Sequence, residues 1–159
     1  MLNCIRYSCG DGGSDIDAER APNYIKKYSK ISHNINWLSN ISPQKTLPKT
    51  ERIATCCKEL ALAVKSLREK NIFFCVLGGD HSSAIGTWTG VRLAKDEDFT
   101  LIWLDAHMDA HTFKTSPSSN IHGMPVASLL GYGDQKLSKI FYDKSTIHPK
   151  DIFFVGIRD

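Results

Sequence analysis

Two polar segments follow apolar runs in this chain: Gly78-Gly79-Asp80-His81-Ser82 and Asp105-Ala106-His107-Met108-Asp109. In the second, Asp105, His107 and Asp109 occupy alternate positions. Extended backbone would put all three side chains on one side, with Ala106, Met108 and Ala110 on the other. Two carboxylates and an imidazole that converge so closely repel as bare anions, and a divalent cation relieves the repulsion. His81, from the neighbouring segment, can supply a fourth ligand. Carboxylate and imidazole donors without thiolate suit manganese, iron or zinc. Two such ions about 3.5–4 Å apart, bridged by carboxylate and water, would generate a hydroxide nucleophile at neutral pH. Asp80 follows Gly-Gly and precedes a helix, so it reads equally as a cap, a support for a ligand imidazole or a ligand itself. His122, in the loop from Ser116 to Pro125, can move protons.

Strands and helices must hold these groups. Ile72 to Leu77 is apolar throughout and stopped by Gly78-Gly79, as expected of a central parallel strand. Thr100 to Leu104 reads as a second buried strand and Ile152 to Ile157 as a third. Between them, helices are expected over Ser83–Leu93, Met124–Leu130 and Gln135–Tyr142. Upstream, Ile53, Cys57, Leu60, Ala61, Val64 and Leu67 recur every three or four residues, giving an amphipathic helix from Glu51 to near Asn71, with Thr50 as its cap. The alternation predicts right-handed crossovers and a parallel sheet covered on both faces. Catalytic groups in such sheets lie beyond the carboxyl ends of strands, where both polar segments fall. Residues 1–50 carry turn chemistry at Gly10–Asp15 and a short helix near Ala21–Tyr28. Asp15-Ile16-Asp17 reads as loop, with no apolar strand before it, and Asp96-Glu97-Asp98 as a solvated turn.

Composition fits one globular domain over residues 1–159: 42% of residues are hydrophobic and the formal charge is +3. Disorder, collagen and coiled coil are excluded. No apolar run approaches the roughly 20 residues of a membrane helix, and the start lacks a secretory apolar region. The charge is spread along the chain, which argues against nucleic-acid binding. Five cysteines, an odd number without metal-ribbon spacing, read as reduced and structural. A cytoplasmic location follows as the expectation.

Gly-Gly-Asp-His-Ser at 78–82, Asp-Ala-His-Met-Asp at 105–109 and Ser-Ser-Asn-Ile-His-Gly-Met-Pro at 118–125 together resemble the ureohydrolase family, which includes arginase and agmatinase. The resemblance is strongest to arginase. It implies a three-layer α/β/α fold with a mainly parallel sheet, of which this chain holds about half, as a C-terminally incomplete domain. It also implies two manganese ions per complete active site and hydrolysis of L-arginine to urea and ornithine by a metal-bridging hydroxide. Agmatine or another guanidino compound is the alternative substrate, and an inactive truncated remnant the alternative from outside enzymology. By resemblance, His81 and Asp109 bind one metal, Asp105 bridges and His107 binds the second. His122 shuttles a proton to the leaving amine. Ser118 contacts the substrate α-carboxylate and Asp159 lies near the substrate's amino end. His111 stands where well-known arginases carry an asparagine that reads that carboxylate. The family's later Ser-x-Asp-x-Asp pair is not present in these residues, leaving four of six expected ligands. The resemblance further implies a homo-oligomer, trimeric or hexameric when complete.

Overall fold

The computed structural model describes residues 1–158; Asp159 lies outside the described residues. The first strand, β1 (Leu2–Tyr7), lies between β2 (Ile35–Ile41) and β3 (Phe74–Gly78), and both pairings are parallel. Cys4 is in register with Trp37 on one side and Cys75 on the other. Alternation along β1 divides its contacts. Ile5 and Tyr7 are buried towards α2 (Lys49–Glu69), while Arg6 reaches Asn23 of α1 (Ala21–Tyr28) across the opposite face. Helices therefore cover both faces of this sheet, as the resemblance implied.

The first fifty residues hold more order than the sequence suggested. Strands β1 and β2 interleave polar Asn3, Arg6, Asn36, Ser39 and Asn40 with apolar residues, so neither reads as a buried run. Their stability comes from partners distant in sequence. A strand does precede Asp15-Ile16-Asp17, although it mixes polar and apolar residues and is not an apolar run. Those residues form the start of a short 3₁₀ turn, with Asp15 capping it by accepting from the Asp17 N–H.

Helix α2 buries Ile53, Cys57, Leu60, Ala61 and Val64 on one face, as its spacing predicts. Its N-cap is Pro48 rather than Thr50, which sits inside the first turn without a side-chain cap. Helix α3 (Ser83–Lys95) packs on α2 and ends at Asp96, in the left-handed region at φ 42°. Glycines make that packing close: a Cβ on Gly86 would lie 2.6 Å from the Cys57 carbonyl oxygen, and one on Gly90 2.5 Å from that of Ala61.

The second sheet pairs β4 (Leu101–Leu104) with β5 (Ile152–Val155), again in parallel. Leu101 and Trp103 are buried with Ala84 of α3 and with Val126 and Leu129 of α4 (Pro125–Leu129). Ile102 and Leu104, on the other side of β4, are exposed, as are Phe153 and Val155. Helix α5 is only Gln135–Ser138, capped by Asp134, and does not continue to Tyr142. Strand β3, expected at the centre of a sheet, is an edge among the described residues, because β4 hydrogen-bonds to β5 and not to it. All five cysteines are free.

Candidate metal centre

His81 stands just beyond the end of β3, and Ser82 fixes it from below. Ser82 is fully buried; its hydroxyl lies 3.0 Å from the Tyr7 hydroxyl, and its carbonyl accepts from the Cys57 thiol at 3.4 Å. Burial pushes that thiol up to about 12, so it stays protonated and donates. The imidazole of His81 stacks on Trp103 of β4, with ring centroids 4.5 Å apart. That contact brings the ends of β3 and β4 together although the strands themselves do not pair.

Opposite His81 stand the two aspartates. The imidazole Nδ1 lies 2.7 Å from Oδ2 of Asp109 and 3.2 Å from Oδ2 of Asp105. One donor atom from each of His81, Asp105 and Asp109 falls within 4.8 Å of the others. Burial lowers the proton affinity of His81, but the hydrogen bond and charge of Asp109, with Asp105 and Asp80 behind it, outweigh burial and raise it above 6.5. Burial would raise Asp105; the His107 backbone N–H, donating at 3.0 Å, and the charge of His81 leave it below 3.8. The centre thus concentrates negative charge around a single imidazole, a donor set that fits a divalent cation.

The alternation expected for Asp105, His107 and Asp109 does not hold. Strand β4 stops at Leu104, and Asp109 adopts φ 50°, so the segment turns instead of running straight. His107 is consequently outside the three-donor group. Its side chain is 66% exposed, and its Nδ1 contacts the other oxygen of Asp105 at 3.3 Å. Asp109 is 8% exposed and anchors the next element, its carbonyl accepting from Val126 N at 3.0 Å.

A cavity of about 720 Å³ opens over this centre. His81, Asp105, His107, Asp109, His111, Ser118 and His122 all line it, so the structure gathers every described candidate around one space. His111 is tied to Thr115 Oγ1 at 3.3 Å, and Ser118 Oγ accepts from Asn120 N at 3.3 Å. Asp159 falls outside the described residues. Asp80 acts as a brace: its two oxygens accept from Ser82 N at 2.8 Å and Gly12 N at 2.9 Å. Two features escape sequence reasoning. Nothing in the local pattern marks Trp103 as the platform for His81. The Gly10–Gly13 turn likewise gives no sign that it will reach Asp80 and His122.

The arginase family model matches residues 10–159. The chain belongs to the arginase family. It is 38% identical to the arginase of Bacillus caldovelox over 152 residues, covering 89% of this chain and 50% of that one. To the arginase of Bacillus subtilis it is 44% identical over 101 residues, 64% of this chain and 34% of the relative. The crystal structure of Bacillus subtilis arginase superposes with a TM-score of 0.87 at 31% identity, over 99% of this arginase-family chain and 56% of that one. Entamoeba histolytica arginase, crystallised with L-ornithine, gives 0.86 at 30% identity, over 99% and 58%. The chain spans about half the length of the curated relatives it matches. No described helix of this family member is long and apolar enough to cross a membrane.

Proposed function

We propose that this chain carries the larger part of a manganese-dependent active site that hydrolyses the guanidino group of L-arginine to urea and ornithine. The observation that carries the reading is the convergence of His81, Asp105 and Asp109 donors within 4.8 Å, beneath the cavity that His122 and Ser118 line. His81, Asp105 and Asp109 would hold metal, with His107 joining from the outer side of Asp105. When bound, manganese supplies an activated water for attack on the guanidinium carbon. Ser118 and His111 hydrogen-bond to the substrate carboxylate and orient it. His122, across the same cavity, gives a proton to the departing amine nitrogen. Ligand capture by the solved Entamoeba relative, which holds L-ornithine, supports a substrate of this shape.

A second reading, hydrolysis of agmatine or another guanidino compound, rests on His111, which stands in place of the carboxylate-reading asparagine. Its imidazole is engaged by Thr115, so it presents a different hydrogen-bonding edge to the cavity.

The test uses the full-length protein. Asp105→Asn should lose manganese, read by elemental analysis after gel filtration, and should lose urea release with it. Unchanged metal content and turnover would overturn the assignment. Comparing urea release from L-arginine and from agmatine separates the two substrates, and none from either would leave an inactive remnant as the better reading.

A further inference from the structure

The turn Gly10–Gly13 has no role in the site as assigned, yet it touches that site twice. The Gly12 N–H donates to Asp80, whose other oxygen holds Ser82 N beside His81. The Gly12 carbonyl accepts from His122 N at 3.0 Å. The α-carbons of this turn are themselves contact surfaces. A Cβ on Gly12 would lie 2.8 Å from Asp80 Oδ1, and one on Gly13 3.3 Å from His122 Nδ1. A turn with three glycines in four residues is intrinsically loose, so something must hold it if it is to seat a ring.

Asp11 does so. Its side chain is 4% exposed, and its two oxygens accept from Arg52 Nε and Nη2, each at 3.1 Å. Lys45 adds a second cation at 3.6 Å. A two-point guanidinium–carboxylate contact fixes direction as well as distance. Arg52 is itself held by the Leu47 carbonyl at 3.1 Å and sits in the first turn of α2, whose next residue, Ile53, is fully buried. A continuous path therefore runs from the core helix through Arg52 and Asp11 to the glycine turn, and from the turn to His122.

We propose that the Asp11–Arg52 ion pair is a positioning device that seats His122 over the cavity through the backbone of Gly12 and Gly13. Its catalytic consequence rests on the proposed function above; the placement of the ring does not.

The experiment labels all histidines of the full-length protein with ¹⁵N and follows the imidazole signals in chelating buffer. Asp11→Asn and Arg52→Gln should displace the His122 signals while those of His33 and His148, far from the turn, stay in place. Arg52→Lys keeps the charge but not the two-point contact, and should give a smaller displacement in the same direction. Gly13→Ala presses on the same ring without touching the buried charge, and should also move it. Turnover of Asp11→Asn should fall about tenfold with KM little changed, as expected for a misplaced proton donor. His122 signals unmoved in these variants, or His33 and His148 moving as far as His122, would overturn the proposal. If the wild-type protein releases no urea, the functional reading fails while the imidazole signals still decide this one.

Discussion

Asp109 combines two demands that rarely meet in one residue. It offers a carboxylate oxygen 2.7 Å from His81, and it does so from a backbone at φ 50°. Left-handed backbone costs an ordinary L-residue about 1–2 kcal/mol, with aspartate and asparagine among the better-tolerated types. Glycine at this position would remove the carboxylate while releasing the strain. Alanine would remove it and keep the strain. If the proposed site holds metal, Asp109→Gly should abolish its binding; it should also be more stable to denaturant than Asp109→Ala, by about 1 kcal/mol. Equal midpoints would mean that the backbone at 109 stores nothing. The grouping of His81, Asp105 and Asp109 was legible because carboxylates and imidazoles cluster there beyond apolar runs. The turn that excludes His107 from the group was not, since it depends on where β4 stops.

At the level of elements, the contact between α2 and α3 shows why a propensity can mislead. Glycine inside a helix ordinarily costs about 0.5–1 kcal/mol relative to alanine, so Gly90→Ala would be expected to stabilise α3. Here the added Cβ would lie 2.5 Å from the Ala61 carbonyl oxygen, on the rigid backbone of α2. The helices would have to separate, and overpacking of that kind costs about 1–3 kcal/mol. Chemical denaturation should therefore show Gly90→Ala to be less stable than wild type, and a gain would contradict the close packing. Helices with strong periodicity, α2 above all, could be read from the sequence within two residues. Strands β3, β4 and β5 were visible as apolar runs. Strands β1 and β2 were not, because polar side chains interrupt both and the partners that stabilise β1 include a strand far along the chain.

Considered whole, the molecule presents two parallel sheets joined at their carboxyl ends by the candidate metal centre. One face of the second sheet is bare: Ile102, Leu104, Phe153 and Val155 are exposed at 68%, 79%, 57% and 47%. Contiguous apolar strand surface of this kind favours association. These 159 residues, expressed as a unit, should sediment as more than a monomer, and replacing both Leu104 and Phe153 with glutamate should shift them towards monomer. A monomer before substitution would show that the bare face does not associate. The parallel arrangement itself was implied by the alternation of strands and helices. The division into two sheets was not, because the order of strands across a sheet is set by long-range pairing.

The central place of β1 has a consequence for how the chain is made. Strand β1 is made before both of its neighbours, β2 and β3, yet lies between them, and Cys4 must wait for Cys75 before that side of its ladder can close. Contacts so distant in sequence form slowly, since a long loop must close before they contribute. Until β3 and the helix before it have emerged, Ile5 and Tyr7 have no complete core to enter. Strand β1 is thus translated before its partners and completed only after them, and its window of exposure lengthens whenever synthesis slows.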